Sequence, residues 1–274
     1  MAGTIHIDHS LGTSQLGVLL LTLAVVAGAA CQPTLREVSA DIFEAVHGSA
    51  VLDDRLRAPH GIEAIRVKGP IAYLVQVEGG VVVVDSGFDE SGALLERALG
   101  DRQVLAVLLT HGHPDHASGL ARLDPAPVYV GRADAPLVTG TGSFAAPAPA
   151  AARALLGTPP PPKRVVPVED GFELDLGGAR FEAVALPGHT GGSTAWRHGS
   201  VLFSGDAVVS YDGRSLELAY FFFSEHRGQS AQSLGRLRSV DFSVLCDGHF
   251  GCTPRAKVKL WTAIARYRRA AQPW

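Results

Sequence analysis

The chain has 274 residues, of which 46% are hydrophobic, and this composition is sufficient for one large domain with a full core. Its formal net charge of −3 provides no basic field of the kind that attracts nucleic acid or an anionic membrane surface. These values argue against intrinsic disorder and against a nucleic-acid partner.

The N-terminus carries an apolar run from Leu16 to Ala30, which ends in small residues before Cys31. The run is short for a membrane span and is typical of a signal peptide. Small residues before a cysteine resemble the lipobox of bacterial lipoproteins, although Gly28 stands where leucine is usual. We therefore predict a signal peptide over 1–30, an extension over 31–60 and the functional domain over 61–274. The exported protein is expected in the periplasm or, if Cys31 is lipidated or the leader stays uncleaved, anchored at the membrane.

Regular patterning begins at Gly61, where two apolar runs joined by Glu78-Gly79-Gly80 predict a β-hairpin. Its second strand, VVVV, is expected to be buried on both faces. Residues 89–99 have helical apolar spacing, and VLAVLLT over 104–110 reads as another buried strand. That strand leads directly to His111.

The middle of the chain changes composition, because residues 139–163 are rich in Ala, Pro and Gly and include four consecutive prolines. We interpret this stretch as an exposed excursion that serves either as a lid or as a spacer. From residue 164 onwards, short strands separated by Gly-rich turns predict a second sheet, followed by helices over 229–240 and 254–270. The pattern indicates an α+β architecture of two β-rich halves with helices outside.

The sequence HGHPDH, residues 111–116, places four metal-type side chains within six residues directly after a buried strand. Imidazole nitrogens and a carboxylate suit zinc, iron or manganese, and the absence of cysteine argues against a closed structural zinc site. The spacing therefore predicts a reactive metal centre.

An HxHxDH motif after a hydrophobic strand resembles the signature of the metallo-β-lactamase superfamily. The remaining elements of that signature follow in order over about residues 61–270, as VVVVDSG with Asp85, LPGHTGGST with His189, FSGDAV with Asp206 and CDGHFG with His249. The resemblance implies a four-layer αβ/βα sandwich.

The resemblance also implies a site for two divalent cations. The first would be bound by His111, His113 and His189, the second by Asp115, His116 and His249, and Asp206 would bridge both. Two cations that share a carboxylate can share a hydroxide and lower the pKa of its parent water to roughly neutrality. Zinc is the favoured metal, with iron and manganese as alternatives. Asp115 and Asp206 are the expected catalytic carboxylates, and Asp85 is expected to orient a ligand.

The predicted function is hydrolysis of a small-molecule lactone, ester or thioester. An aspartate bridge is unusual in true β-lactamases, and only 25 residues follow His249, whereas glyoxalase II carries a helical substrate domain there. The alternatives are an enzyme resembling the mononuclear iron persulfide dioxygenases, a β-lactam hydrolase and a non-catalytic metal-binding lipoprotein. The sequence leaves the oligomeric state open.

Three other features remain open at this stage. Cys246 and Cys252 flank His249 and could form a disulfide or remain buried thiols, because spacing does not establish disulfide geometry. His226 and Tyr211 lie between the last two motifs and are candidate pocket residues.

Overall fold

Apolar runs of strand length alternate with turns from Gly61 onwards, and they fold into two β-sheets that face one another. The structure is a computed structural model that describes residues 58, 59, 61–146, 149, 150, 153, 161–219 and 223–270. These residues all lie in one of the two compact units of the chain, Val51–Trp274. The predicted signal peptide and Cys31 lie outside the described residues, so export stays a prediction.

The first sheet contains the predicted hairpin and the strand that leads to the HGHPDH motif. Its strand order is β1-β2-β3-β4-β5-β6, with antiparallel pairing from β1 to β3 and parallel pairing from β3 to β6. The strands are β1 Ile62–Arg66, β2 Ile71–Val77, β3 Gly80–Val84, β4 Val104–Leu108, β5 Val128–Gly131 and β6 Val165–Val168. Four of the five residues of β3 are buried, in agreement with the uninterrupted valine run.

The second sheet is formed by the C-terminal half of the domain. Its order is β12-β11-β10-β9-β8-β7, in which only β10 and β11 are parallel. The strands are β7 Glu173–Leu176, β8 Ala179–Ala185, β9 Thr194–His198, β10 Val201–Gly205, β11 Val244–Asp247 and β12 Gly251–Pro254. The prediction of a second antiparallel-rich sheet is confirmed.

Helices cover the outer faces of both sheets. They are α1 Ala93–Leu99, α2 Pro114–Ala117, α3 Ala135–Val138, α4 Arg227–Arg236 and α5 Ala256–Ala270. Leu95 and Leu99 of α1 pack on the first sheet, whereas Leu234 of α4 and Leu260 of α5 pack on the second. The order of layers is helix, sheet, sheet, helix, as predicted. No helix among the described residues is long and apolar enough to cross a membrane.

The central core lies between the two sheets and includes several large aromatic side chains. Tyr73 comes from the first sheet, and Phe181, Trp196 and Phe203 come from the second; all four are at most 2% exposed. Burying one such side chain stabilises the fold by roughly 1.5–3 kcal/mol. The indole Nε1 of Trp196 also donates to the main-chain oxygen of Leu109, 2.9 Å away, and so fixes the second sheet to the start of the HGHPDH loop.

The last helices differ from their predicted limits. The helix predicted over 229–240 is α4, which begins and ends earlier, at Arg227 and Arg236. The last turn of α4 closes with hydrogen bonds from the N–H of Arg238 to the oxygen of Gly235 and from the N–H of Ser239 to the oxygen of Arg236. The Nζ of Lys257 then caps the main-chain oxygens of Leu237 and Arg238 beyond the helix end.

The interpretation of Pro254 as the first residue of the closing helix is wrong. Pro254 is the last residue of β12, where it pairs with Val244, and α5 begins at Ala256. Because β12 is the edge strand of its sheet, a residue without an N–H group is tolerated there.

A disulfide joins Cys246 of β11 to Cys252 of β12, which resolves the alternatives left by the sequence. The two residues are direct partners across the hairpin that carries His249.

We expect the double variant Cys246→Ser, Cys252→Ser to lower the free energy of unfolding by about 2 kcal/mol, because a small closed loop constrains the unfolded chain. Urea unfolding of oxidised wild type and of the variant measures this difference. An unchanged midpoint and slope would contradict it.

Candidate metal centre

The seven predicted ligands lie where strands end on one side of the two facing sheets. His111 follows β4, and the four-residue helix α2 begins at Pro114 and carries Asp115 and His116 on its first turn. Proline at the first helical position is favourable because its missing N–H would have no partner there. The motif is thus an abrupt change from strand to helix, which turns its side chains towards one point.

The other three ligands come from the second sheet. His189 lies four residues after β8, Asp206 directly follows β10, and His249 lies in the turn between β11 and β12. Because β10 and β11 are parallel, their carboxyl ends meet at the same edge. All seven side chains are brought together, and within each of three groups the potential ligand atoms lie within 4.8 Å of one another.

Three buried histidines form the first half of the site. The Nε2 atom of His189 lies 3.2 Å from Nε2 of His111 and 3.0 Å from Nδ1 of His113. Ring nitrogens that approach this closely repel one another through their lone pairs unless a proton or a cation lies between them. The arrangement suits a cation with imidazole ligands.

The second half contains Asp115, His116 and His249. The carboxylate Oδ2 of Asp115 lies 3.8 Å from Nε2 of His116 and 3.5 Å from Nε2 of His249. Both histidines are buried, whereas 23% of the Asp115 side chain is exposed. Asp115 is therefore the ligand candidate of this half that is most accessible to an incoming molecule.

The carboxylate of Asp206 lies between the two halves. Its Oδ2 is 3.1 Å from Nε2 of His249 and 3.8 Å from Nε2 of His189, and its Oδ1 is 3.4 Å from Nε2 of His116. Within the described ranges, Nε2 of His116 and Oδ1 of Asp206 are buried without a hydrogen-bond partner. Two facing orphan atoms, one on a histidine and one on a carboxylate, fit a cation that both would coordinate.

Burial and neighbouring charges divide the histidines into two sets. Burial above all lowers the pKa of His189 to about 4 and holds the pKa values of His111 and His113 well below 6.5. Neutral imidazole is the form that binds metal, so this half is ready for a cation without losing protons.

The histidines beside the carboxylates behave differently. Burial opposes the charge on His116, but Asp206 and Asp85 outweigh it and raise the pKa of His116 to about 10. The pKa of His249 is raised in the same way, chiefly by Asp206, and the pKa of Asp206 is in turn held well below 3.8 by His249 and His116. His116 and His249 therefore hold protons at the place where a second cation would bind, and the binding of that cation would release these protons.

The sequence profile of the Metallo-beta-lactamase superfamily matches residues 67–249, which is more than half of the chain and includes all seven side chains. The chain belongs to the metallo-β-lactamase superfamily. Both the predicted family and the predicted fold class are confirmed.

Two named relatives are hydrolases. The probable metallo-hydrolase YflN of Bacillus subtilis (strain 168) is 24% identical over 225 residues, which cover 70% of this chain and 84% of that protein. A hydroxyacylglutathione hydrolase of Vibrio cholerae serotype O1 is 34% identical over 131 residues, which cover 47% of this chain and 42% of that protein. The chain thus spans less than half of the second relative. The prediction that the chain is a hydrolase of this superfamily is confirmed.

Two solved structures share the fold. A metallo-β-lactamase family protein of Thermus thermophilus superposes with a TM-score of 0.57 at 24% identity, covering 76% of this chain and 80% of that chain. The crystal structure of TTHA1623 in a di-iron-bound form gives a TM-score of 0.53 at 32% identity, covering 69% of this chain and 91% of that chain. The second protein holds two metal ions, and they are iron.

Asp85 is not among the predicted ligands but contacts one of them, His116, in the way expected of a residue that orients a ligand. Its Oδ2 lies 2.8 Å from Nδ1 of His116 and accepts from the hydroxyl of Thr110 at 2.8 Å, while its Oδ1 accepts from the amide of Thr110 at 2.8 Å. Asp85 follows β3 with a φ of 58°, a left-handed conformation that aspartate tolerates better than most residues. This turn aims the carboxylate at the HGHPDH loop.

Replacing Asp85 by asparagine is expected to weaken the binding of one metal equivalent by about 10–100-fold, because the orienting acceptor for His116 becomes an amide. Zinc titration against a competing chelator measures the change. Asp89→Asn is the matched control, since Asp89 is also buried after β3, but its partners are Leu94, Ser91 and Lys68, none of which is a ligand candidate. Equal affinities in wild type and Asp85→Asn would refute the orienting role.

Close packing of the main chain also limits the site. A Cβ atom on Gly248 would lie 2.5 Å from Cε1 of His116 and 2.6 Å from Oδ1 of Asp206. The residue before His249 must therefore be glycine, because any side chain would enter the space where the ligand atoms converge.

The two candidate pocket residues have different positions. The His226 side chain is exposed, and its main-chain N–H donates to the oxygen of Gly188 at 2.8 Å, so it braces the His189 loop through its backbone. The ring of Tyr211 packs edge-on against the ring of Phe250, the residue after His249, with 4.9 Å between the two ring centroids. Tyr211 and Phe250 together form an aromatic wall beside the second half of the site.

Sequence reasoning missed several polar residues that support the ligand loops, among them Ser224 and Asp134. The hydroxyl of Ser224 lies 3.2 Å from Nδ1 of His189, and the buried carboxylate of Asp134 accepts hydrogen bonds from two ligand loops. No local pattern marks either residue. Asp134 follows a strand, where a polar side chain usually lies in an exposed turn, and Ser224 lies in a polar stretch.

Proposed function

We propose that this protein is a binuclear metal-dependent hydrolase of a lactone, ester or thioester. The observation that carries the proposal is the position of the Asp206 carboxylate, which lies within 3.8 Å of histidine nitrogens from both halves of the site. A carboxylate placed in this way can bridge two cations. The histidine and aspartate donors favour zinc, and the di-iron form of TTHA1623 supports iron as an alternative.

The chain's own residues would divide the work as follows. His111, His113 and His189 would hold one cation as neutral donors, whereas Asp115, His116 and His249 would hold the other once the two histidines have lost their protons. When bound, two such cations polarise a substrate carbonyl and lower the pKa of a water molecule that they share.

The carboxylate of Asp115 is placed to accept the proton that the attacking water releases. It is 23% exposed and therefore reaches the side from which substrate arrives, whereas Asp206 is 10% exposed and lies deeper between the halves. A carboxylate at that place can accept a proton from the attacking water and pass it to the leaving group. The buried imidazoles exclude bulk water, so charge that develops on the carbonyl oxygen interacts strongly with the site.

The substrate class rests on the relatives and on the aromatic wall. The hydrolase names of YflN and of the hydroxyacylglutathione hydrolases support hydrolytic chemistry, and the second name denotes cleavage of an acyl-glutathione bond in that relative. Phe250 and Tyr211 offer an apolar surface beside His249, which suits an acyl chain or a ring better than a charged group.

A matched substrate panel tests the proposal. Purified protein, stripped with a chelator and then reloaded with zinc, iron or manganese, is assayed on a lactone, an ester and a thioester of the same acyl chain, and on a β-lactam. We expect turnover of at least one of the first three that disappears on stripping and returns on reloading. Turnover of the β-lactam alone, or oxygen consumption with a persulfide instead of hydrolysis, would replace the proposal. Full metal loading without any turnover would favour a metal-binding protein.

A further inference from the structure

Asp134 is a buried aspartate outside the ligand set that binds two ligand loops at once. It lies at the end of the short turn after β5 and is 1% exposed. Its Oδ2 accepts from the amide of Gly112 and from the hydroxyl of Thr190, each at 2.7 Å, and its Oδ1 accepts from the amide of Gly192 at 2.7 Å. Oδ2 therefore bonds to both ligand loops, whereas Oδ1 bonds only to the loop after His189.

The three donors identify which parts of the site are joined. Gly112 lies between His111 and His113 in the HGHPDH loop, whereas Thr190 and Gly192 follow His189 in the second sheet. These loops come from separate sheets, and together they supply every histidine of the first half. A single carboxylate thus sets the separation of the elements that hold the three-histidine ligand set.

Local packing makes this connection rigid. A Cβ atom on Gly192 would lie 2.6 Å from Oδ1 of Asp134, so the loop after His189 can approach the carboxylate only because it has glycine there. Within the part of the chain that the structure describes, no Lys or Arg forms an ion pair with Asp134. A buried carboxylate is costly unless it is well hydrogen-bonded, so the three donors stabilise Asp134 as much as Asp134 stabilises the loops.

We propose that Asp134 is a positioning residue that assembles the three-histidine half of the metal centre. Its carboxylate bonds to Gly112, Thr190 and Gly192 rather than to a ligand atom, and it acts by holding His111 and His113 at the correct distance from His189. The inference rests on the proposed function, because it assumes that these histidines bind a metal ion. It predicts that one of two metal equivalents depends on a residue that is not itself a ligand.

Two substitutions disturb the connection to different degrees. In Asp134→Asn the side chain keeps its shape, but one oxygen becomes an NH2 group that faces the amide of Gly112 or Gly192 and releases that loop. Thr190→Val removes only the hydroxyl donor and keeps both backbone bonds. The control is Asp89→Asn, which changes a buried aspartate whose partners, Leu94, Ser91 and Lys68, are not ligand candidates.

Zinc titration of the full chain in the presence of a competing chelator measures the affinity of each equivalent. We expect Asp134→Asn to weaken one equivalent by about 10–100-fold, as loss of an outer partner commonly does, and to leave the other within threefold of wild type. Thr190→Val should shift the same equivalent less, and Asp89→Asn should shift neither. Hydrogen exchange of the metal-free proteins provides a second readout, with faster exchange in Asp134→Asn over residues 111–113 and 189–192.

The outcomes separate this inference from the proposed function. Unchanged zinc affinity and unchanged exchange in Asp134→Asn would overturn the inference while wild type still bound two equivalents. Equal weakening of both equivalents, with exchange accelerated throughout the domain, would show a general structural role and would also overturn it. Failure of wild type to bind zinc, iron or manganese would instead reject the proposed function.

Discussion

Replacing Asp206 by alanine is expected to lower turnover by roughly a thousandfold, about 4 kcal/mol of transition-state stabilisation, and to release bound metal. The physical reason is that Asp206 serves both halves of the site. Its oxygens lie 3.4 Å from His116 and 3.1 Å from His249 on one side and 3.8 Å from His189 on the other. Without this carboxylate, no side chain joins the two groups of ligands, and the positive charge of His116 and His249, or of the cations that would replace their protons, is no longer balanced.

Metal analysis and steady-state kinetics on the same preparations measure both effects. Asp101→Ala is the control, because Asp101 is an exposed aspartate in the turn before β4. The unfolding midpoint of each metal-free variant separates loss of the site from loss of the fold. A metal-replete Asp206→Ala protein with wild-type turnover would show that this carboxylate does not bridge.

Removing the imidazole of His249 is expected to reduce bound metal from two equivalents to one and to lower turnover by roughly a hundredfold. His249 belongs only to the second half, where its Nε2 lies 3.5 Å from Asp115, whereas the first half keeps all three histidines. His249→Ala should therefore retain the equivalent that depends on His189. The complementary variant His189→Ala should lose the other.

This pair of variants also distinguishes the binuclear hydrolase from a mononuclear iron enzyme. A mononuclear centre on the three-histidine half would not need His249, so His249→Ala would keep its full metal content. Retention of all bound metal in His249→Ala would therefore contradict the binuclear account. Loss of a single equivalent in each of the two variants would support it.

Four of the ligand candidates are a local signal, because HGHPDH concentrates them in one turn directly after a buried strand. The predicted ligand roles of His189, Asp206 and His249 follow from the resemblance to the superfamily, since each is a single polar residue in a Gly-containing turn. An apolar run fixes where a strand ends, and parallel neighbouring strands bring such ends to the same edge. The predicted fold class follows from the resemblance to the superfamily, which rests on the order of all the motifs.

Other features depend on long-range contacts that no local pattern encodes. Asp134 meets Thr190 across 56 positions of sequence, and Ser224 meets His189 across 35. The disulfide depends on the strand register that sets Cys246 opposite Cys252, which the spacing of the cysteines alone does not determine. The capping of the end of α4 similarly depends on Lys257, a residue of the next helix.

The most direct test of the central claim is elemental analysis of the purified protein, expressed as moles of each metal per chain. The account predicts two equivalents of zinc, iron or manganese that are removed together by strong chelation and restored by any one of these ions. One equivalent of iron at saturation, or no retained metal at all, would contradict a binuclear site built from both halves.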